Sequence, residues 1–547
     1  MPINRRTFLA AGAGAAVSAS ASLAGCSRRS GWIETTPVLD APGMLEGHVL
    51  RDRRALPAPS FTRTVDVAIL GAGASGLSCA WQMARAGHKD FVVLAGPEFG
   101  GNAAGGQFGA LGYPKGAHYL PLPSAESVHL RDMLADLGVI EAAPFSTRPT
   151  FDERVLVHAR DERLLLNGSW QDGLVPTDGV ARDELAQQAR FFAYTDTLRS
   201  MVGSDGRKVF CVPLALSSQD RAWRSLDTLN FRQWLLDHGY TAPTLHWYLN
   251  YCCRDDYGAG YERVSAWAGL HYFSARGGHA RNAGDGAVLT WPDGLHSMVT
   301  KLTGSISTRL GSTVWSMQGT AAHVEERPGH VEVLGFTIRN GAPETFLVKA
   351  RRVVCAMPLF VAGHVLPQLG EYGFNAQRDL PPRAPWLVSN FLIDGMPDEM
   401  PGVPLAWDNV VYQGEGLGYV VSTHQDIRVS PPSRSVFSAY QALSTGDPDT
   451  TRRWLETASP EALREQAAID LRLAYGRNLW VHATQLEVTL RGHAMASPDV
   501  GFLSRPGLNA LRDVDGPIVF AHSDLSGLSL FEEASYWGMR AAGTVLA

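Results

Sequence analysis

The sequence predicts an α/β protein with two domains, one of which is assembled from separate stretches of the chain. Three observations lead to this fold class. A strand–glycine turn–helix–strand pattern opens the body of the chain, compatible strand and helix patterns return in the middle and at the C-terminus, and aromatic-rich stretches lie between them. The roughly 520 residues that follow the N-terminal segment are also more than one compact core usually holds, so two domains are expected.

The first 26 residues have the features of a targeting segment rather than of a folded domain. Arg5 and Arg6 form a twin-arginine pair, a weakly apolar run of Ala, Gly and Ser follows, and the run ends in Leu-Ala-Gly-Cys, with Cys26 in the position that a lipobox would lipidate. The run is too short and too mild for a membrane span. We therefore predict export by the twin-arginine machinery and a lipid anchor at Cys26 that holds the protein on the periplasmic side, at the outer membrane. A disordered Ala-rich tail is the alternative.

The composition excludes some partners and cofactors. Residues 27–62 are rich in Pro, Arg and Gly with little periodicity, which predicts a linker. The formal net charge is −6 without long charged runs, so no nucleic-acid partner is expected. The remaining cysteines show no metal-ligand spacing, and no metal site is predicted. We expect these cysteines to be structural, and the sequence leaves open whether the adjacent pair among them is bonded: Cys79, Cys211, Cys252, Cys253 and Cys355.

The body opens with a β-α-β unit. Val65, Val67, Ile69 and Leu70 make a short β-branched and apolar strand. A helical pattern with Leu77 and Trp81 follows, and residues 91–94 form a second apolar strand. The turn between the first strand and the helix has Gly-x-Gly-x-x-Gly spacing. In this context the spacing predicts a dinucleotide site in a Rossmann-like domain.

Each glycine of the turn has a separate physical role. Gly71 permits the tight turn, Gly73 lets the backbone approach a pyrophosphate, and Gly76 lets the helix pack closely on the strand. The helix N-terminus, which includes Ala74 and Ser75, offers free N–H groups and the positive end of the helix dipole to the phosphates.

The second strand lacks the carboxylate that usually binds the ribose hydroxyls of the adenosine. Ala95 occupies that position, and Glu98 is the nearest carboxylate. Either Glu98 reaches back to the ribose or backbone contacts hold it. Gly100 and Gly101 follow, and a glycine pair at this place is not a general feature of NAD-binding folds.

The glycine pair resembles a feature of the flavoprotein superfamily that includes amine oxidases, phytoene desaturases and protoporphyrinogen oxidases. Those proteins usually have Glu at the end of the strand and Gly-Gly-Arg after a short loop, whereas this chain has Ala95 and Asn102. The resemblance implies a non-covalently bound FAD with Gly100, Gly101 and Asn102 beside it.

Two internal segments match the same superfamily in the expected order. Gly116, Ala117 and His118 match a loop that runs beside the flavin ring in related proteins, and His118 is interpreted as a hydrogen-bonded loop histidine rather than a catalytic base. Further on, after a Trp-Pro-x-Gly motif at residue 291, Val314 matches a valine that packs on the adenine, and Ala356 belongs to an Ala-x-Pro strand end that runs under the nucleotide.

The C-terminus matches as well. A strand leads into Ser523 and Asp524, one of which the resemblance assigns to the ribityl chain of the flavin. A helix follows, and its N-terminus near Phe531 is expected to face the pyrimidine end of the flavin, where the helix dipole stabilises negative charge on the reduced ring.

The resemblance therefore implies an α/β protein with a Rossmann-like FAD-binding domain assembled from discontinuous segments, and with an inserted α+β substrate domain. We assign residues 63–135, 285–365 and 490–547 to the FAD-binding domain. Residues 136–284 and 366–489 form the substrate domain.

The substrate is less clearly encoded than the cofactor. No catalytic residue is identified, and the pair of aromatic rings that flanks the amine in many amine oxidases is not clearly present. Candidate cavity residues are Tyr257, Tyr261, His271, Tyr272, Trp407 and Tyr412.

The expected activity is that of an amine-oxidase-like, FAD-dependent oxidoreductase that oxidises a small organic substrate, with an amine as first choice, by hydride transfer to flavin N5. Oxygen or a membrane-linked acceptor would take up the electrons. The alternatives are a desaturase or isomerase acting on an apolar substrate, and a non-catalytic flavin-binding envelope protein.

Overall fold

The computed structural model describes residues 34–157, 160–424, 426–430 and 432–547. The predicted targeting segment of residues 1–26, including Arg5, Arg6 and Cys26, lies outside the described residues, as does the first part of the predicted linker.

The strands occur mostly in runs, which are separated along the chain by helices. In chain order they are β1 Val38–Asp40, β2 Thr62–Leu70, β3 Phe91–Leu94, β4 Gly105–Phe108, β5 Leu111–Pro114, β6 Tyr119–Pro121, β7 Ile140–Ala142, β8 Thr150–Phe151, β9 Glu162–Leu166, β10 Ser169–Asp172, β11 Val288–Thr290, β12 Ser316–Met317, β13 Thr320–Arg327, β14 His330–Arg339, β15 Ala342–Cys355, β16 Arg383–Asp394, β17 Asp408–Val411, β18 Tyr419–Val421, β19 Arg434–Ala442, β20 Ala483–Ala496 and β21 Ile518–Phe520.

The α-helices range from single turns to seventeen residues. In chain order they are α1 Met44–Arg51, α2 Ala74–Arg85, α3 Val128–Asp136, α4 Arg182–Leu198, α5 Arg221–Arg224, α6 Phe231–Asp237, α7 Pro243–Tyr257, α8 Ala266–Ala275, α9 His296–Leu310, α10 Leu359–Val365, α11 Ala376–Asp379, α12 Pro448–Thr457, α13 Pro460–Ala467, α14 Ile469–Tyr475, α15 Leu479–His482, α16 Pro506–Arg512 and α17 Phe531–Leu546.

A seven-stranded sheet forms the first domain, in the order β12-β3-β2-β15-β14-β13, with β21 beside the end of β15. The β2–β3, β12–β3, β2–β15 and β21–β15 pairs are parallel. Strand β2 is apolar on both faces because helices cover both: Val67 and Ile69 pack towards α2, whereas Ala68 and Leu70 pack towards α10. The carboxyl ends of the parallel strands therefore meet at one edge, where such sheets bind ligands.

An eight-stranded sheet forms the second domain, in the order β1-β20-β16-β19-β18-β17-β9-β10. One face packs on the helices α12 to α15, as the contact of Phe391 with Trp480 shows. The opposite face, which carries Val388 and Tyr440, packs towards helix α7 through Tyr251 and Cys252. This second face forms a wall of the substrate cavity.

The strands of the seven-stranded sheet all fall in the three segments assigned to the FAD-binding domain, apart from the first residue of β2. The two-segment substrate domain supplies most of the other sheet. Strand β20 is continuous from residue 483 to 496, however, and crosses the predicted boundary between 489 and 490. The boundary is predicted from the resemblance to family motifs, and such motifs carry no information about the length of a strand.

The predicted linker of residues 27–62 is wrong for its described part. Strand β1 pairs in parallel with β20, with Leu39 opposite Val488, and helix α1 follows. Thr35 also donates a hydrogen bond to the carbonyl of Ala483 at 2.5 Å. The error has a physical cause, since a three-residue edge strand carries too little periodicity to be recognised in a Pro- and Arg-rich stretch.

The cysteines in the described part of the chain are all buried free thiols, which leaves Cys252 and Cys253 unbonded. Burial raises the pKa of each of these two thiols. Among the helices of the described segments, none is both long and apolar enough to cross a membrane.

Candidate nucleotide site and substrate cavity

The glycine-rich turn after β2 has the geometry that the sequence predicts. Gly71 has a φ of 113°, and a Cβ atom there would lie 3.0 Å from the carbonyl oxygen of Ala356. A Cβ atom on Gly76 would lie 1.9 Å from the carbonyl oxygen of Gly71, so only glycine fits at both positions. Ala356, the predicted Ala-x-Pro residue, thus lies directly beside the turn.

Gly73 differs from these two glycines because its Cα faces open space. No atom lies within 4 Å of the position that a Cβ would take. Helix α2 begins at the next residue, and its first internal hydrogen bond runs from the amide of Leu77 to the carbonyl of Gly73 at 3.0 Å. The amides of Ala74 and Ser75 precede that bond and remain available to an anion above Gly73.

Ser75 can offer a phosphate its backbone amide, whereas its hydroxyl is already engaged within the protein. The hydroxyl donates a hydrogen bond to the carbonyl of Ala521, at the end of strand β21. A Cβ atom on Gly538 would lie 2.1 Å from the carbonyl of Ser75, so helix α17 packs against α2 at backbone distance. These contacts hold the start of α2 in place.

The glycine pair lies against the same turn. The amide of Gly100 donates to the carbonyl of Ala72 at 2.9 Å, and Gly100 has a φ of 91°. A Cβ atom on Gly101 would lie 3.5 Å from the Cα of Gly73. Gly100 and Gly101 therefore bring a second stretch of backbone to the proposed phosphate site, as the resemblance implies.

Ala95 directly follows β3 and is buried, and the nearest carboxylate, that of Glu98, already has a partner. Glu98 forms a two-point ion pair with Arg491 of strand β20, with Nη1–Oε2 at 2.9 Å and Nη2–Oε1 at 3.1 Å. Both oxygens of Glu98 thus have a partner within the protein. Of the two ways of holding the ribose, this geometry favours backbone contacts.

Asn102 connects the loop of the glycine pair, Gly100 and Gly101, to the loop that carries His118. Its side-chain amide donates to the carbonyl of Ala494 at 2.7 Å, and its backbone carbonyl accepts from the amide of Ala117 at 2.7 Å. A Cβ atom on Gly116 would lie 2.3 Å from that same carbonyl. The predicted loop of Gly116, Ala117 and His118 is therefore held against the glycine pair.

His118 lies at the inner end of a large cavity. Its ring centroid is 4.3 Å from that of Tyr440 and 5.8 Å from that of Trp407. Burial lowers the pKa of His118 to about 3, so the imidazole is neutral at pH 7. Its backbone carbonyl accepts the hydroxyl hydrogen of Thr290 at 2.8 Å. The hydrogen bond at this loop position is thus made by the main chain of His118.

Val314 is not an adenine-contacting residue. In the parallel pair of β12 and β3, Ser316 lies opposite Val93, which places Val314 at the level of the start of β3. The ligand edge of the sheet is at the other end of that strand, and the Val314 side chain is 68% exposed. The prediction was wrong because Val314 lies two residues before strand β12. The order of the motifs along the chain does not determine which residue of a strand reaches the ligand edge.

The C-terminal site residues are buried beneath α17. The carboxylate of Asp524 contacts Nη1 of Arg383 at 2.5 Å through one oxygen and accepts the amide of Leu359 at 2.9 Å through the other. Burial alone would raise the pKa of Asp524, but the charges of Arg383 and His522 hold it well below its usual value. Asp524 is thus tied to the protein, and Ser523 is the member of the predicted pair without such an ion pair. Phe531 is buried at the first turn of α17.

A cavity of about 780 Å³ lies between the second sheet, helix α7 and the loop of His118. Of the candidate lining residues, Tyr272 and Trp407 line it. The ring of His271 instead hydrogen-bonds to the carbonyl of Cys211, and the hydroxyl of Tyr257 donates to the carbonyl of Ala268. Tyr261 and Tyr412 also lie outside the cavity lining.

Three carboxylates in the cavity wall were missed by sequence reasoning. Glu162 is the first residue of β9, Asp408 the first of β17, and Asp255 lies near the end of α7. They are far apart in the chain and belong to no motif, so only the fold brings them together. We refer to Glu162, Asp255 and Asp408 as the acidic cluster.

All three residues of the acidic cluster face the cavity, with Glu162 exposed to it and Asp255 and Asp408 half-buried. Burial, followed by the charge of Asp161, raises the pKa of Glu162 to about 7. Burial, followed by the charge of Asp256, raises the pKa of Asp255 to about 7, and the pKa of Asp408 is raised well above its usual value by burial and by the other two carboxylates. In the described part of the chain no set of His, Cys, Asp or Glu side chains is suited to hold a metal ion.

Comparison with known proteins supports this architecture. A family model described as an NAD(P)-binding Rossmann-like domain matches residues 69–137. No curated protein sequence matches the chain. A triple mutant of putrescine oxidase superposes with a TM-score of 0.61 at 16% identity, over 89% of this chain and 99% of that one. Cyclohexylamine oxidase from Brevibacterium oxydans IH-35A gives 0.56 at 17% identity, over 88% and 98%.

The chain shares its overall fold with these two amine oxidases. The fatty acid isomerase of P. acnes that produces CLA is similar to it as well, with a TM-score of 0.54 at 14% identity over 88% of this chain and 98% of that one. The predicted fold class, with its Rossmann-like domain, is thereby confirmed. At these identities the likeness establishes the fold and leaves the reaction to be argued from the site.

The residues of the site fit a dinucleotide cofactor. The open space above Gly73, the free amides at the start of α2 and the backbone of Gly101 provide for a pyrophosphate without a clash. FAD, which the sequence resemblance implies, would be held there by Gly71–Gly76 and the glycine pair, with Gly116 and Ala117 in the loop that leads to His118.

Proposed function

We propose that the protein is an FAD-dependent oxidoreductase whose substrate is an amine. When bound, FAD would supply the acceptor, N5, for a hydride from the carbon next to the nitrogen. The open space and the free amides beside Gly73 support the proposal of this cofactor. The acidic cluster supports the substrate class, and it is the observation that carries the proposal.

The cavity suits an ammonium group better than an apolar substrate. Its wall carries the carboxylates of Glu162, Asp255 and Asp408 together with the rings of Tyr251 and Trp407. Carboxylates attract a cation by charge, and aromatic faces attract it through the ring quadrupole. An apolar chain would offer neither a positive charge nor a hydrogen-bond donor to these three carboxyl groups, which disfavours a desaturase or isomerase of apolar substrates.

The chain's own residues contribute binding, orientation and control of charge. His118 is neutral at pH 7 and so does not repel an incoming cation at the inner end of the cavity. The carboxyl groups of Glu162 and Asp255, with pKa values of about 7, can accept a proton from a bound ammonium group. The nitrogen must lose that proton before its carbon can give up a hydride.

The test is a visible absorption spectrum of the purified full-length chain, followed by anaerobic addition of amines. Flavin bands that bleach with an amine are the expected result. A protein that never carries a flavin would overturn the proposed cofactor. Flavin bands that bleach with no amine, but bleach with a fatty acid or other apolar compound, would overturn the substrate class.

We also propose that the protein is exported by the twin-arginine machinery and anchored at the periplasmic side through Cys26. The signals at Arg5, Arg6 and Cys26 support this location. Oxygen or a membrane-linked acceptor would then take the electrons. Replacing both arginines with lysine should leave the precursor in the cytoplasm, whereas mature protein in the envelope of such cells would contradict the route.

A further inference from the structure

Residues 34–61 form a strap that lies on the surface of both domains. At its first end, Thr35 donates a hydrogen bond to the carbonyl of Ala483, and β1 pairs with β20 as the outermost strand of the eight-stranded sheet. At its other end, the amide and the hydroxyl of Ser60 both donate to the carbonyl of Thr345 in β15, at 2.9 Å each. The strap is therefore fixed to the body of the protein at both ends.

The strap exposes apolar side chains that the rest of the fold does not cover. Val38 and Leu45 are the most open of them, at 64% and 60% exposure. Val49 of α1 is buried, so this helix has packed its inner side and still leaves Leu45 at the surface. Such a group of exposed apolar side chains marks an interaction surface. It is the densest one in the described part of the chain and consists of Val38, Leu39, Met44 and Leu45.

A basic group follows the apolar one directly. Arg51, Arg53 and Arg54 are exposed at the end of α1 and in the turn after it. Asp52 contacts Arg51 at 2.9 Å and Arg54 at 3.2 Å, so three arginines share one carboxylate and the group remains positive. We refer to the exposed apolar group and these three arginines together as the strap surface.

The position of Cys26 indicates which partner fits the strap surface. Cys26, the proposed site of lipid attachment, lies eight residues before Glu34. Eight Cα–Cα steps span at most about 29 Å in any conformation. Glu34 forms an ion pair with Arg464, and β1 begins four residues later. A lipid anchor at Cys26 therefore holds this part of the protein near the bilayer.

The composition of the strap surface suits a lipid bilayer. Segments that lie on a membrane place apolar side chains in the boundary between headgroups and acyl chains. Basic side chains beside them are attracted to anionic headgroups. The strap surface offers both kinds of side chain, in a part of the chain that is fixed to the two domains.

We propose that the strap surface is the face on which the anchored protein lies against a phospholipid bilayer. The apolar side chains would enter the headgroup boundary, and the three arginines would contact anionic headgroups. This inference rests on the proposed lipid anchor at Cys26 and goes beyond it, because an anchor alone leaves the orientation of the protein body undetermined.

Cysteine labelling tests this orientation on the mature lipoprotein. The cysteines in the described part of the chain are all buried, and an acylated Cys26 has no free thiol, so a fluorophore reacts selectively with a cysteine introduced at the surface. Leu45→Cys places the label on the strap surface. Phe145→Cys is the matched control, at a 61% exposed position between β7 and β8. Wild-type protein treated with the same reagent gives the background.

The labelled proteins are inserted into vesicles of phosphatidylethanolamine and phosphatidylglycerol, prepared with and without a phospholipid that carries a nitroxide on its acyl chain. The nitroxide quenches a fluorophore that contacts the lipid. We expect the Leu45→Cys label to lose about half or more of its fluorescence, because interfacial side chains lie about 5–10 Å deep in the headgroup boundary. A Val38→Cys label should behave in the same way, whereas the Phe145→Cys label should keep its fluorescence.

A further variant tests the arginines. In Leu45→Cys/Arg53→Gln/Arg54→Gln the positive charge is removed while the apolar group is largely kept, and the quenching of the label should weaken. Unchanged quenching would overturn the role of the arginines. Circular dichroism and flavin content report whether each variant is folded.

The outcomes separate this inference from the proposed anchor, because mass spectrometry of the mature protein shows independently whether Cys26 is acylated. If Cys26 is acylated but the Leu45→Cys label is quenched no more than the Phe145→Cys label, the strap surface is overturned and the anchor stands. If the label is not quenched and unlabelled Leu45→Cys cross-links to a second copy through a disulfide bond, the surface is a dimer interface and the bilayer is overturned. If Cys26 is not acylated, both proposals fail together.

Discussion

Arg491 and Glu98 form a buried ion pair that joins two parts of the nucleotide site. The guanidinium makes two contacts with the carboxylate, and its Nε donates to the carbonyl of Lys115 at 2.8 Å. The side chains are 8% and 15% exposed. Arg491 therefore holds the loop of Glu98 against the loop that begins at Lys115, next to Gly116.

Breaking this pair should loosen the cofactor. Glu98→Gln leaves the Arg491 charge without compensation, and removing one partner of a buried pair costs about 3–5 kcal/mol. We expect a lower Tm and loss of FAD during gel filtration, measured as the ratio of flavin to protein absorbance. The double change Glu98→Gln/Arg491→Met removes both charges and should recover part of the Tm.

The exposed pair of Arg351 and Asp66 is the control for this prediction. Asp66→Asn breaks a surface contact, which is worth about 1 kcal/mol or less. Its FAD ratio should equal that of the wild-type protein. If Glu98→Gln also retains its FAD in full, the pair with Arg491 does not position the loop of Glu98 for cofactor binding.

Gly73→Ala tests directly whether the phosphates of the cofactor lie in the open space above Gly73. The backbone of Gly73, with φ −75°, suits alanine, and the new methyl group would contact no protein atom within 4 Å. We expect unchanged folding but an affinity for FAD lowered by about tenfold or more, since the methyl group would occupy the space above α2. Titration of the apoprotein with FAD measures this change.

Two other glycines provide the comparison. Gly304→Ala, in helix α9, also places a methyl group in open space and should leave FAD affinity unchanged. Gly76→Ala places its methyl group 1.9 Å from the carbonyl of Gly71 and should prevent proper folding. Normal FAD affinity in Gly73→Ala would show that the phosphates lie elsewhere.

The Asp524 carboxylate should stabilise the fold in a pH-dependent way. Its folded-state pKa lies below its usual value, so its stabilising effect is complete above the unfolded pKa near 3.8 and is lost as the pH falls below that value. Asp524→Asn should cost about 3–5 kcal/mol at pH 7, because Arg383 loses its buried partner.

Urea unfolding of the two proteins at pH 7 and pH 3 checks this prediction. The difference between the variant and the wild-type protein should shrink at pH 3, where the carboxylate protonates in the unfolded chain but stays ionised beside Arg383 in the folded protein. A difference that is equally large at both pH values would mean that the variant is destabilised by altered packing, and that the ion pair of Asp524 with Arg383 contributes little.

The nucleotide site could be predicted from sequence because its residues are close together in the chain. The spacing of Gly71, Gly73 and Gly76 directly reflects the turn, and the structure places Gly100, Gly101 and Ala356 around it. Local sequence could not reveal the acidic cluster, because Glu162 and Asp408 meet only through strand pairing. The ion pair of Glu98 with Arg491 depends in the same way on strand β20, far along the chain.

The acidic cluster should itself destabilise the empty protein at high pH. Glu162 has a folded-state pKa of about 7, above its unfolded value of about 4.5, so the folded protein binds more protons between these pH values. The free energy of unfolding therefore falls as the pH rises through this window. Glu162→Gln removes the effect, so it should match the wild-type protein at pH 4 and be more stable at pH 8.

Chemical denaturation at pH 4 and pH 8 measures this difference, and Asp513→Asn, whose side chain is 80% exposed, is the control for loss of a negative charge outside the cavity. Saturating hexylamine should then raise the stability of the wild-type protein at pH 8 more than that of Glu162→Gln, because a ligand stabilises the state that binds it. If Glu162→Gln is less stable than the wild-type protein at pH 8, Glu162 is compensated within the fold, and the cavity offers one fewer charge to a cation.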